Sequence, residues 1–179
     1  PPVLWRTAVG EGHAGAAIHA GRVYLIDYDR EKEEDAIRCL SLDTGGEIWR
    51  YSYSVLVRRN HGMSRTVPAV TDEYVLTIGP RCHVMCIAME TGDFLWGIDM
   101  QARYGTVEPG WYAGQCPLID NAHAILAPAG SNVLMTAIDC GTGEVVWETP
   151  NPGGWNMSHA SITPMTVAGV RMFVYAALG

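Results

Sequence analysis

The chain has 179 residues, 48% hydrophobic and 17% charged, and no apolar run near the roughly 18 residues that would cross a membrane as a helix. Its net charge is −7 and Lys32 is the single lysine among twelve basic residues, the arginines being thinly spread; this excludes the basic stripe of a nucleic-acid binder. Its 20 glycines and 10 prolines stand singly between short apolar runs, which predicts many short strands broken by turns.

The chain opens with Pro1-Pro2, without an initiator methionine or leader, and is expected to be a processed or excised piece. PVLWR follows, and its Trp5 is expected to close a preceding unit. GEGHAG (10–15) leads into AAIHAGRVYLID, which reads as two strands around the turn Ala20-Gly21. Gly10-x-Gly12-x-x-Gly15 formally matches a dinucleotide fingerprint, but that chemistry needs a helix N-terminus next in the chain and a strand stands there instead. The acidic run Glu31, Glu33, Glu34 and Asp35, interleaved with Arg30, Lys32 and Arg38, is expected at a solvated hairpin tip. CLSLDTGGEIW (39–49) then supplies two strands reversed at Thr-Gly.

The same order returns three times. RNHGMSRTV (59–67), VPAVTDEYVLTIG from Val67 with a turn at 71–72, and CIAMETGDFLW (86–96) form a second unit. PGWYAGQC (109–116), CPLIDNAHAILAP from Cys116 with a turn at 120–121, and AIDCGTGEVVW (137–147) form a third. GGWNMSHAS (153–161) and TPMTVAGVRMFVYA from Thr163 begin a fourth. Trp49, Trp96 and Trp147 each stand five residues after the threonine, 47 and 51 residues apart, and Gly45, Gly92 and Gly143 make the turns. Four antiparallel strands per unit of about fifty residues describe a propeller blade. A blade cannot bury both faces alone, so the tryptophans are expected to fill the gaps between stacked blades. The expectation is an all-β propeller segment of about three and a half blades. It is one partial domain over 1–179, with blades at roughly 10–53, 61–100, 111–150 and an incomplete 156–179. It is either part of a longer propeller or closed by a second copy, and in isolation its open edges should aggregate or dimerise.

Cys39, Cys82, Cys86, Cys116 and Cys140 include no adjacent pair and no CxxC, and read as buried free thiols. On a strand His83 points away from Cys82 and Cys86, which argues against a metal there. Asn156-Met157-Ser158 is a glycosylation acceptor pattern, incidental in a bacterial protein. No GxSxG or HExxH is present.

The pattern Ala-x-Asp-x-x-Thr-Gly-x-x-x-Trp, filled by Ala137, Asp139, Thr142, Gly143 and Trp147, resembles the tryptophan-docking motif of the pyrroloquinoline-quinone (PQQ)-type repeat family. The other copies keep Thr44, Gly45, Trp49, Thr91, Gly92 and Trp96. The resemblance implies the propeller fold and export to the periplasm or beyond. It covers both quinoprotein dehydrogenases, which oxidise alcohols or sugars with a calcium-bound quinone, and cofactor-free assembly lipoproteins of the outer membrane. The adjacent cysteines that accompany the quinone are missing, and no acidic cluster has calcium-ligand spacing.

Where the copies diverge, residues are free to serve something other than the blade. Divergence concentrates just before each first strand, and these lead-in segments are expected to line one mouth of the central channel. His13, His61, Arg65, Trp111, Tyr112, Gln115, Trp155 and His159 would converge there, a mixture suited to a planar, anionic or sugar-like ligand or a protein partner. The favoured function is a binding or assembly scaffold with no cofactor and no metal. A PQQ- and calcium-dependent alcohol or sugar dehydrogenase, and a purely structural repeat, stay open as alternatives.

Overall fold

A computed structural model of the protein describes residues 2–58 and 64–179. Three four-stranded antiparallel sheets follow one another in chain order. They are β1 (Ala17–His19) to β4 (Glu47–Ser54) with β2 (Arg22–Asp29) and β3 (Glu34–Ser41); β5 (Ala69–Val70), β6 (Tyr74–Ile78), β7 (His83–Ala88) and β8 (Phe94–Asp99); and β9 (Leu118–Asp120), β10 (His123–Leu126), β11 (Val133–Asp139) and β12 (Val145–Pro150). The hairpin β13 (Thr163–Val167) and β14 (Val170–Val174) begins a fourth. This is the all-β propeller segment of about three and a half blades that the repeat predicts. The one helix among the described residues, α1 (Met100–Tyr104), follows β8; Asp99 caps its start through the N–H groups of Gln101 and Ala102, and Gly105 ends it at φ 70°. No helix among the described residues is long and apolar enough to cross a membrane.

The turns show why the sequence repeats. Both central residues of the first hairpin are left-handed at Ala20-Gly21, Asn121-Ala122 and Ala168-Gly169, the backbone twist that matches a tight antiparallel pair. The third-unit turn lies one residue later than 120–121, because Asp120 stays in β9 opposite His123. In the second unit the turn also moves on from 71–72: the Thr71 hydroxyl accepts from the N–H groups of Glu73 and Tyr74, and the Thr71 N–H closes onto the Tyr74 carbonyl.

At the Thr-Gly turns, Gly45, Gly92 and Gly143 have φ of 70°, 79° and 74°, and each donates its N–H over 2.9 Å to Ser41, Ala88 and Asp139 respectively. A tryptophan from the preceding segment lies on each of these glycines: Trp5 on Gly45, Trp49 on Gly92 and Trp96 on Gly143. The three indoles also make one repeated hydrogen bond, from Nε1 to the carbonyl of Leu42 (2.7 Å), Met89 (3.0 Å) and Cys140 (2.8 Å), each two residues before the turn threonine. A side chain at any of the glycines would displace the indole. The left-handed backbone and the ring contact therefore both demand glycine.

The core sits in the seams. The largest cluster joins the second and third sheets through Leu76, Val84, Cys86, Trp96, Leu126, Ile138 and Cys140; another joins the first and second through Tyr24, Cys39, Trp49, Ile87 and Met89. Trp147 stacks on Phe173 of β14, with ring centroids 6.1 Å apart. Met165, Val167, Val170 and Met172 on that hairpin are exposed.

One sequence expectation is corrected here. Asp35 is not part of a solvated tip: β3 takes it in, it is 1% exposed, and its Oδ2 accepts from the Tyr53 hydroxyl at 2.5 Å. Lys32 and Glu33 stay at the tip while the strand pairing, Tyr28 opposite Asp35 and Asp35 opposite Tyr53, carries the carboxyl into the first–second seam.

Candidate functional site

The lead-in segments run side by side. Gly12 bridges Ser64 in parallel, and the N–H groups of His13 and Ala14 both reach the Ser64 carbonyl, at 2.7 and 3.0 Å. Val67 N–H reaches Cys116 Sγ at 3.3 Å, and Cys116 N–H reaches Ser161 Oγ at 3.0 Å. Each segment is thus tied to the next.

Along these segments the predicted residues part company. His159 donates from Nε2 to the Tyr112 carbonyl at 3.0 Å and packs on Gly114, so these two positions do come together. A carbonyl can only accept, which fixes the proton of the neutral imidazole on Nε2. His13 is exposed and Arg65 half-buried on the adjacent segments. Gln115 is turned away: it is fully buried, and its amide holds both the N–H (3.0 Å) and the carbonyl (3.1 Å) of Ala127, leaving nothing to offer a ligand. Trp155 packs on Gly153 and Gly179, held by Asn151, whose side chain takes the Trp155 N–H and gives to its carbonyl and to that of Gly130. His61 lies outside the described residues.

Trp111 and Tyr112 carry consecutive left-handed φ angles of 68° and 70°, a conformation that costs bulky residues energy and holds them in a fixed presentation. Trp111 is 57% exposed, whereas Tyr112 is buried with its hydroxyl donating to the Arg58 carbonyl.

Tyr112 floors a cleft of about 350 Å3 whose other walls are Leu56, Arg58, Arg81 and Glu108. Arg81, on the β6–β7 connection, donates from Nε to Glu108 at 2.5 Å and from Nη1 to the Leu56 carbonyl at 3.1 Å. Gln101 of α1 braces the pair, its amide reaching Glu108 at 3.1 Å and the Arg81 carbonyl at 3.0 Å. Arg58 is exposed at the rim. Arg81 spends its Nε and Nη1 on protein oxygens, so the exposed guanidinium of Arg58, beside an aromatic floor and an exposed indole, is the cation placed to meet a carboxylate or other anion joined to apolar surface. Burial, and then the charge of Glu108, push the Tyr112 hydroxyl above its ordinary range, so the floor stays neutral. Arg58, Arg81 and Glu108 escaped the sequence reading, which compared only the segments before each first strand. Of these, Glu108 follows α1, the one helix among the described residues.

A larger cleft of about 460 Å3 lies between residues 8–11 and the first sheet, where Arg38 is bound to Asp27 (2.8 Å), Glu47 (2.5 Å) and the Ala8 carbonyl (2.9 Å). Arg30, which reaches Glu11 at 3.1 Å, and Arg50, which reaches Ser52 Oγ at 3.2 Å, line it as well.

Among the described residues no three His, Cys, Asp or Glu side chains converge on a point that could hold a metal ion. No two of the cysteines are adjacent in the sequence.

Comparison with known proteins adds the following. Residues 33–177 match a PQQ-type family model described as outer membrane protein assembly factor BamB. None of the curated proteins matches in sequence. Among solved structures, BamB from Moraxella catarrhalis is similar at 18% identity and a TM-score of 0.60, over 89% of this chain and 45% of that one. A quinohemoprotein alcohol dehydrogenase from Comamonas testosteroni is similar at 18% identity and TM-score 0.56, over 93% of this chain and 32% of that one. The computationally designed Ika4 protein is similar at 11% identity and TM-score 0.52, over 100% of this chain and 99% of that one. The chain spans less than half the length of the first two.

Proposed function

This chain belongs to the PQQ-type repeat family whose model is described as outer membrane protein assembly factor BamB, and on that premise we propose that it is a binding scaffold acting through its lead-in face. The observation that carries the reading is the cleft of Arg58, Arg81 and Tyr112 beside exposed Trp111. Trp, Tyr and Arg clustered around a small cavity are the residue types that dominate protein-binding energetics. The partner is a protein presenting an anionic group next to apolar side chains, or a small anionic or sugar-like ligand; His13, Arg65 and His159 extend the contact along the same face. The tryptophans serve docking between blades, and the compartment is extracytoplasmic, the periplasm of a bacterium. Further blades, of the same protein or of a second copy, cover the exposed hairpin β13–β14.

The experiment is photo-crosslinking from position 111 in periplasmic extract, with thermal shift against a panel of small anions and sugars, repeated for Arg58→Ala and Arg81→Ala. A discrete adduct or a stabilising ligand, lost in both variants, supports the reading. No adduct and no shift, or an adduct indifferent to both arginines, refutes it.

The fold likeness to a quinohemoprotein dehydrogenase does not move the reading to an oxidoreductase. That likeness, at 18% identity, is one of fold, and the cleft of Arg58, Arg81 and Tyr112 supports binding without itself supplying a redox group.

A further inference from the structure

Four of the five cysteines are fully buried, and the scaffold reading uses none of them. Two stand at one seam. In β7, Cys86 lies opposite Trp96 of β8, whose indole reaches the Cys140 carbonyl at 2.8 Å. Cys86 Sγ lies 3.4 Å from the same carbonyl, and the Cys140 N–H is tied to the Ala122 carbonyl at 2.9 Å. Cys140 is therefore held from both sides over Cys86, whose thiol donates to its carbonyl, and both side chains lie in one buried cluster.

The repeat shows how unusual this pairing is. The position five before the turn threonine holds Cys39, Cys86 and Ala137; the position two before it, on the following sheet, meets it across the seam and holds Leu42, Met89 and Cys140. At the first–second seam the pair is Cys39 and Met89, both in one cluster, and a thioether cannot complete a disulfide. At the seam with the hairpin the first position is Ala137. Among the described seams, the second–third alone offers a thiol at both positions.

We propose that Cys86 and Cys140 form a disulfide that staples the second sheet to the third when the chain folds in the presence of a low-molecular-weight disulfide. The Cys140 thiolate attacks one sulfur of the oxidant R–S–S–R, and RS⁻ leaves and takes a proton. Cys86 then loses its proton, attacks Cys140 Sγ in the mixed disulfide, and expels the second RS⁻, which is protonated. Two protein thiols are oxidised and one disulfide is reduced to two R–SH. Both sulfurs are inaccessible in the closed seam, so exchange accompanies the docking of the sheets, and the finished bond is shielded from reductant.

The test is refolding in oxidised and reduced glutathione, acid quench, alkylation in denaturant, and peptide mapping by mass. Expected is a linked pair of peptides containing Cys86 and Cys140, with both unalkylated, resistant to dithiothreitol in buffer but cleaved by it in guanidinium. Cys86→Ser or Cys140→Ser should leave its former partner fully alkylated. Alkylation of both cysteines in refolded wild type, or a linkage that joins either to a different cysteine, overturns the proposal. A glutathione adduct at half-exposed Cys116 shifts a separate peptide and leaves the readout intact.

Discussion

Replacing Asp35 by Asn should remove the share of the chain's pH-dependent stability that this buried carboxyl carries. Asp35 lies in the first–second seam, hydrogen-bonded by Tyr53, and its other oxygen has no partner among the described residues. Burial, opposed by the Tyr53 hydrogen bond and reinforced by the nearby charge of Asp27, raises its pKa from 3.8 to about 7. A raised carboxyl keeps its proton in the folded state after the unfolded chain has lost it. Its stabilising share is therefore complete below pH 3.8, declines as pH rises, and is gone once pH passes about 7. The interval of about three pH units corresponds to about 4 kcal/mol, or roughly 10 °C in midpoint for a domain of this size. Asn fills the same space, accepts the Tyr53 proton and cannot ionise. Urea unfolding followed by tryptophan fluorescence from pH 4.5 to 8 should give a variant-minus-wild-type difference that climbs by about 3 to 4 kcal/mol. His83 next to Tyr53 has a lowered pKa through burial and titrates in the same range, but in both proteins, so it cancels in the difference. A flat difference curve would show that Asp35 stays ionised in the fold and would refute the burial argument.

Trp96→Ala should cost about 3–5 kcal/mol in chemical unfolding, since the ring fills the second–third seam, whereas Trp155→Ala should cost under about 1 kcal/mol; equal losses would contradict the seam geometry. Gly92→Ala should lose at least about 1 kcal/mol from its left-handed backbone and its contact with Trp49, measured the same way. Arg81→Ala should change unfolding by about 1 kcal/mol or less, as a half-exposed ion pair does, while removing partner or ligand capture. PQQ with calcium should produce neither quinone absorbance on the chain nor dye-linked alcohol or sugar oxidation. Sedimentation should show dimers or larger species, because β13–β14 exposes apolar side chains; a monodisperse monomer would contradict this.

The fold was legible because it is written three times: one threonine–glycine turn, one tryptophan, one spacing. Local chemistry sufficed, since a glycine at φ of 70° to 79° and a ring lying on it leave the same mark in every copy. The candidate site was legible only in outline. Comparing copies found the lead-in segments, and Tyr112 with His159 among their residues, but a string cannot show that the Gln115 amide closes on Ala127. Asp35 misled for the same reason: four acidic residues read as a tip, and only the register of β3 against β4 carries one of them inside. Arg81 and Glu108 are 27 residues apart and meet through α1, a contact that periodicity does not encode.

The indoles of the first two sheets, Trp49 and Trp96, each close a slot formed by the next sheet, and Trp5, from ahead of the first sheet, already closes the slot at Gly45. The modular boundary therefore does not coincide with the edge of a sheet. A segment exchanged between two such proteins, or duplicated in tandem, would need to be cut from peg to slot, carrying a tryptophan at its start and the turn glycine of the next sheet at its end. A cut made at the sheet edges alone would part each peg from the slot it was shaped for. Shuffling and engineering of these chains should tolerate the first kind of junction and punish the second.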